Sequence, residues 1–139
     1  MTTLRAHHFG ITVADLERSV DFYCDVLGLE VESRFTVSGD SFSTGVGVEG
    51  ATGTFAHLDA DGALVELVEY DPEEESRSEG AVNQPGSTHL GFLVDDIETF
   101  YDDLPATVDT TSEPQTTESG ARILFFRDPD GTLIEVLEK

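Results

Sequence analysis

The chain carries an internal duplication, and this feature constrains its fold more than any other. Residues 8–17 read HFGITVADLE, and residues 89–98 read HLGFLVDDIE. A second pair follows in the same order, because 61–69 read DGALVELVE and 130–138 read DGTLIEVLE. The first pair is displaced by 81 residues and the second by 69, so the second copy is 12 residues shorter. Two matches in the same order indicate a module that is used twice.

Each copy begins with a predicted strand and a capped helix. Apolar residues alternate over 8–13, which predicts a strand, and Asp15 is well suited to cap the helix after it. The apolar stripe of that helix ends where Gly28 can provide a C-terminal glycine cap. In the second copy we expect Asp96 to cap the helix and Pro105 to end it.

Strands are predicted after each helix. They cover 31–37, 42–48, 54–58 and 63–70 in the first copy, and 108–111, 121–126 and 132–137 in the second. The module is therefore βαβββ, and the predicted fold class is α+β. We expect a single domain over 1–139, made of two pseudo-repeats at about 4–70 and 87–139, joined by an acidic linker at 71–86.

Charge and composition exclude several classes of partner. Asp and Glu number 29 against 7 Lys and Arg, which gives a net charge of −22. Nucleic acid is excluded as a partner, since its binding depends on Lys and Arg. The acids are dispersed along the chain, which favours a halophilic protein in a salty cytosol. The lone Cys24, the absence of a secretory signal and the lack of a long apolar run predict a cytoplasmic protein with no membrane partner.

Two histidines and two glutamates occupy equivalent places in the two copies. Strand alternation puts His8 and His89 on the faces opposite their apolar neighbours. Glu66 and Glu135 each lie in the middle of an apolar strand, where an unpaired carboxylate is costly. If the copies are related by a pseudo-twofold axis, the four side chains meet, and a divalent metal satisfies both carboxylates at once.

Simpler interpretations exist for each residue taken alone. A histidine at the start of a strand is commonly just hydrogen-bonded, and a mid-strand glutamate can face solvent on a half-exposed sheet. The duplication is what favours metal binding over these alternatives. His7 and His57 have no counterpart in the other copy, so we place them outside the ligand set, with His57 able to line a cleft from an adjacent strand.

Several stretches of the sequence resemble the vicinal oxygen chelate superfamily. This superfamily includes glyoxalase I, methylmalonyl-CoA epimerase, extradiol dioxygenases, and the fosfomycin and bleomycin resistance proteins. The stretches that carry the resemblance are 8–13, 15–23, 26–29, 89–97 and 126–135. The resemblance implies that paired βαβββ modules form a curved, incomplete barrel around one divalent metal, and that the protein is a homodimer. The two modules of one cleft then come from one chain or from two.

The resemblance also implies a ligand set and a chemistry. The ligands carry over to His8 and His89 on the first strands and to Glu66 and Glu135 on the last strands. This set is most similar to bacterial-type glyoxalase I, a lactoylglutathione lyase, with nickel, cobalt, zinc or manganese as the metal. The implied reaction is that of an isomerase or lyase, in which the metal stabilises an enediolate or enolate of a small-molecule substrate. Either glutamate is a candidate catalytic base, and Glu135 is favoured.

Two alternatives remain open at the level of the sequence. The first is an iron-dependent extradiol-type dioxygenase, in which His8, His89 and Glu135 form a facial triad and Glu66 is not a ligand. The second is a resistance-type protein that binds a small molecule without turnover. Glutathione and CoA substrates require cationic side chains. Arg5, Arg34 and Arg122 are the candidates, but ion pairing with the many surface acids is the role that we favour for each.

Overall fold

The fold is α+β and consists of two compact units with the same strand order. The computed structural model describes residues 2–77 and 80–139. One unit ends at Ser76, and the other begins at Arg77. The predicted fold class, with two βαβββ modules, is confirmed.

The first unit is a four-stranded sheet with two helices. Strand β1 (His8–Thr12) is followed by helix α1 (Leu16–Asp25) and strand β2 (Glu30–Ser38). A short helix α2 (Asp40–Val46) then precedes strands β3 (Thr52–Asp59) and β4 (Leu64–Asp71). The spatial order is β1-β4-β3-β2, in which β1 runs parallel to β4 and the other pairs are antiparallel.

The second unit repeats this order without the short helix. Its elements are β5 (His89–Leu93), α3 (Ile97–Asp103), β6 (Gln115–Thr116), β7 (Arg122–Arg127) and β8 (Leu133–Glu138). The sheet order is β5-β8-β7-β6, with β5 parallel to β8 and the other pairs antiparallel. In each unit the first strand therefore lies beside the last one.

Side-chain caps begin α1 and α3 where the sequence predicts them. The carboxylate of Asp15 accepts a hydrogen bond from the backbone N–H of Arg18, and that of Asp96 accepts one from Thr99, both at 3.1 Å. The bond from the Thr99 backbone is the main reason why the pKa of Asp96 is lowered. After α1, Gly28 has a φ of 73°, and its N–H donates to the carbonyl of Cys24.

Helices α1 and α3 each bury one face against their own sheet. Leu16, Val20 and Tyr23 of α1 are buried, as are Leu58 and Leu67 on the strands beneath them. In the second unit the buried set is Ile97, Leu124, Phe126, Ile134 and Val136. The opposite face of each sheet carries the side chains that do not pack against its helix.

Two strand predictions are wrong. Residues 42–48 alternate in polarity and were expected to be a strand, but 40–46 form α2, which is flanked by Gly39 and Gly47 at positive φ. The helix buries none of its residues, so it lacks the apolar stripe by which a helix is recognised. Residues 108–111 contribute only an isolated bridge from Thr110 to Phe126, and β6 forms later, at Gln115–Thr116.

The segment between the last strand of the first unit and the first strand of the second is irregular where it is described. Residues 72–77 and 80–88 contain no helix or strand. Ser78 and Glu79, which belong to the predicted linker, lie outside the described residues. Over the described part of the chain, every helix is too short or too polar to cross a bilayer.

Replacing Leu67 by Ala tests the core of the first unit. Leu67 is fully buried, so we expect Leu67→Ala to lower the free energy of unfolding by about 2–5 kcal/mol, as is usual for a cavity in a packed core. Leu93→Ala is the matched control, because Leu93 is 67% exposed and its truncation should cost less than about 1 kcal/mol. Denaturant unfolding in high salt measures both values, and equal losses would contradict this description of the core.

Candidate metal-binding site

The same strand register places a histidine and a glutamate together in each unit. Gly10 lies beside Glu66 in the parallel β1–β4 pair, and Gly91 lies beside Glu135 in the parallel β5–β8 pair. Each histidine precedes its glycine by two residues, and residues two apart share a face of a strand. His8 and Glu66 therefore project from one face of the first sheet, as do His89 and Glu135 in the second.

The side chains of each pair approach one another. Nε2 of His8 lies 3.6 Å from Oε2 of Glu66, and Nε2 of His89 lies 3.3 Å from Oε1 of Glu135. The glutamate side chains are 16% and 21% exposed, whereas the histidine side chains are 40% and 38% exposed. Each pair thus combines a largely shielded carboxylate with an imidazole that solvent can reach.

These separations fit two neighbouring ligands of one cation. Donors that each lie about 2.1 Å from a metal are about 3.0 to 3.6 Å apart when the angle between them is about 90° to 120°. Imidazole nitrogen and carboxylate oxygen are also the donor types that first-row divalent metals accept. Each unit by itself offers one such pair. Within residues 2–77 and 80–139 no group of three or more His, Cys, Asp or Glu side chains is arranged as a metal site.

Two further histidines support the pair in the first unit. His57 on β3 lies directly opposite Glu66, and its Nε2 is 2.7 Å from Glu66 Oε2. The carboxylate accepts this hydrogen bond, since an ionised carboxylate has only acceptor atoms. The Nδ1 atoms of His7 and His8 are 2.8 Å apart, so that Nε2 of His8 is left to face Glu66.

Sequence reasoning placed both histidines outside the ligand set and missed these contacts. The signal for His7 is its position next to His8. The contact of His57 with Glu66 is not found by matching the two copies, because the turn after β7 is one residue longer than the turn after β3. The displacement that aligns Glu66 with Glu135 therefore matches His57 to Phe126, whereas the residue that lies opposite Glu135 is Phe125.

A row of aromatic side chains continues the site face of the first sheet. Phe35 stacks on Phe55 with ring centroids 5.0 Å apart, and it meets His57 edge to face at 4.9 Å. Phe42 contacts Phe55 at 6.1 Å and stacks on Tyr70 at 6.2 Å. Phe55 is buried, while Phe35 is 38% exposed. The His57–Glu66 hydrogen bond therefore lies beside an apolar surface.

Two of the candidate arginines are engaged on the other face. Arg34 lies opposite Ala56 on the helix-covered face, and its Nη1 is 2.5 Å from Oε1 of Glu17 in α1. Arg122 pairs in the same manner with Glu98 of α3. Each hydrogen bond to a glutamate is the largest cause of a raised pKa of its guanidinium. Both arginines therefore point away from the His–Glu pairs, and the expectation of ion pairs with acids is confirmed for them.

The chain as a whole matches a known protein family. The model of the glyoxalase/bleomycin resistance protein/dioxygenase superfamily matches residues 5–136, which is nearly the whole chain. The chain belongs to this superfamily. The resemblance inferred from the sequence motifs is confirmed.

Individual proteins match the chain over similar lengths. An uncharacterised protein of Escherichia coli, YaeR, is 30% identical and covers 97% of this chain and 96% of its own length. A probable lactoylglutathione lyase of Vibrio cholerae is 29% identical, over 99% and 93% of the two chains. The crystal structure of a glyoxalase family protein from Bacillus cereus superposes with a TM-score of 0.87 at 24% identity, over 99% of this chain and 95% of the other. At that identity the last match supports the fold alone.

Substitution of Gly53 tests the packing of the aromatic row. A Cβ at Gly53 would lie 2.6 Å from Phe55 Cε1 and 3.1 Å from Phe42 Cζ, so Gly53→Ala must displace a ring. We expect a loss of about 1–3 kcal/mol in the free energy of unfolding, together with a change in the near-ultraviolet circular dichroism of the aromatic side chains.

Gly45→Ala is the matched control for this substitution. Gly45 lies in α2, and a Cβ there would meet no atom within 4 Å. Alanine favours a helix over glycine, so Gly45→Ala should leave stability unchanged or raise it by up to about 1 kcal/mol. If Gly53→Ala were as stable as Gly45→Ala, the aromatic row would not be packed as described.

Proposed function

We propose that the protein is a divalent-metal-dependent isomerase or lyase, with His8, Glu66, His89 and Glu135 as the metal ligands. One observation carries the proposal: a histidine and a glutamate meet at the same register position in both units, with 3.6 and 3.3 Å between their donor atoms. Membership of the superfamily and the likeness to a probable lactoylglutathione lyase support it. The proposal requires one pair from each unit, supplied by one chain or by two chains of a homodimer.

The donor set suits a cation that also holds a substrate. Two imidazoles and two carboxylates balance the charge of nickel, cobalt, zinc or manganese, and an octahedral ion would keep two positions for substrate oxygens. When bound, the metal supplies Lewis acidity that stabilises the negative charge of an enediolate or enolate.

The side chains of the protein orient the substrate and transfer the proton. A glutamate beside the substrate accepts a proton from one carbon and returns it to the neighbouring carbon, so the substrate is isomerised without any co-reactant. We assign this role to Glu135, with Glu66 as the alternative. His8 and His89, on the first strands, would hold the metal in place relative to that carboxylate.

The contacts of two of the three candidate arginines favour a small substrate without an anionic tail. Glutathione and CoA present carboxylates or phosphates that arginine or lysine must bind. Arg34 and Arg122 pair with glutamates of the helices, on the face opposite to the His–Glu pairs. The side chain of Arg127 donates to the carbonyls of Gly131 and Gly80. The aromatic row beside Glu66 instead offers an apolar surface to such a substrate.

The hydrogen bond between His57 and Glu66 is also compatible with a second candidate function. If this bond withholds Glu66 from the metal, then His8, His89 and Glu135 make the two-histidine, one-carboxylate set of non-haem iron oxygenases. The protein would then be an iron-dependent dioxygenase. The two functions differ in what they require of Glu66, so replacement of this residue separates them.

Turnover of methylglyoxal hemithioacetals by metal-loaded protein tests the first proposal. A proton moves from the carbon that bears sulfur to the adjacent carbonyl carbon, and the product is a thioester of lactate. We expect turnover with the adduct of a small neutral thiol, 2-mercaptoethanol, at least as high as with the glutathione adduct, followed by ultraviolet absorbance of the thioester. Glu66→Gln and Glu135→Gln should each lower turnover by about 10²-fold or more.

Glu69→Gln is the matched control for these variants, because Glu69 lies on the same strand as Glu66 but faces the other side of the sheet. It should retain full turnover. If metal binding and turnover both survive Glu66→Gln, the proposed mechanism is wrong. If iron binding and oxygen uptake with a catechol survive Glu66→Gln, the dioxygenase is supported instead.

A further inference from the structure

The two glutamates of the candidate site have different neighbours on the adjacent strand. Residues directly opposite each other in an antiparallel pair share a face, with Cβ atoms about 4.5–5.5 Å apart. The residue opposite Glu66 is His57, which reaches its Oε2 at 2.7 Å. The residue opposite Glu135 is Phe125. A phenyl ring has no hydrogen-bonding atom, so this position cannot restrain Glu135 as His57 restrains Glu66.

The ring of His57 is itself held in place. Its side chain is only 14% exposed, and Phe35 packs edge to face against it at a centroid distance of 4.9 Å. On another side the ring of His8 lies nearly parallel to it, 6.1 Å away. The backbone of His57 is fixed by the pairing of β3 with β2 and β4. A donor that is fixed in this way limits the positions that the Glu66 carboxylate can take.

Phe125 makes a different contact in the second unit. Its ring meets that of His89 at 5.2 Å with an interplanar angle of 66°. This contact orients the imidazole and does not hold the carboxylate. The residue opposite the glutamate restrains that glutamate in the first unit, whereas in the second unit it packs on the histidine. The symmetry of the repeat is therefore broken at the residue next to each glutamate.

We propose that His57 is a positioning residue that holds Glu66 on the metal and thereby leaves Glu135 as the glutamate that moves the proton. This inference rests on the proposed function. Hydrogen bonds to ligating side chains orient them and strengthen metal binding, and their loss typically weakens metal affinity about 10- to 100-fold. A carboxylate that transfers a proton needs room to move, and Phe125 opposite Glu135 offers no hydrogen bond that would restrain it.

Cobalt(II) affinity of the metal-free protein, followed by visible absorption, tests the role of His57. We expect His57→Phe, which copies the second unit, to weaken cobalt binding about 10- to 100-fold. His57→Gln should restore most of the affinity, because the side-chain amide of glutamine can donate from a position similar to Nε2. Denaturant unfolding of the metal-free variants checks that each is folded.

The reciprocal substitution Phe125→His tests the division of roles. A histidine opposite Glu135 should restrain this carboxylate, so we expect kcat for proton transfer to fall while cobalt affinity stays equal or rises. A merely structural role of position 125 would not separate these two readouts. Loss of cobalt affinity together with kcat would overturn the assignment of Glu135 as the moving glutamate.

The outcomes separate the role of His57 from the metal-dependent function on which it rests. If the wild type binds cobalt and Glu66→Gln weakens it, but His57→Phe binds as tightly as the wild type, the inference alone is overturned. The same holds if folded His57→Gln is as weak as His57→Phe, since the hydrogen bond would then not be the cause. If cobalt binds equally to wild type and Glu66→Gln, the proposed ligand set fails and the inference fails with it.

Discussion

The register between the first and last strand of each unit is the constraint on which the candidate site depends. Because β1 is parallel to β4 and β5 is parallel to β8, a histidine at the start of one strand and a glutamate in the middle of the other share a face. A slip by one residue in either pair would send the glutamate to the helix-covered core. Leu67 and Val136 are each next in sequence to a glutamate, and both are fully buried. Because a slip would expose them, their burial opposes it.

The duplication explains how much of the fold and site the sequence predicts. The caps at Asp15 and Asp96, the module order and the two His–Glu pairs follow from matched positions in the two copies. Prediction fails where a copy has an element without a counterpart. Helix α2 occurs only in the first copy and buries no residue, so its alternating polarity suggested a strand. The contact of His57 with Glu66 depends on register across a turn whose length differs between the copies.

Departures from the repeat are informative about chemistry. If the two units were identical around the glutamates, Glu66 and Glu135 would be equivalent. Their surroundings would then not distinguish a fixed ligand from a glutamate that moves a proton. In the first unit His7 contacts His8 and His57 contacts Glu66, while in the second Thr88 precedes His89 and Phe125 lies opposite Glu135. The acidic surface has a related consequence, because helix glutamates engage Arg34 and Arg122, two of the three arginines that the sequence offers for an anionic substrate.

The central claim is that one metal needs both halves, and metal stoichiometry tests it most directly. Protein purified in high salt without an affinity tag, and dialysed against trace metals, would be analysed by elemental mass spectrometry beside His8→Ala and His89→Ala. The account predicts about one nickel, cobalt, zinc or manganese ion per candidate site in the wild type, and its loss from both variants alike. Metal that persists in either variant, or a wild type that takes up none after reconstitution, would contradict it.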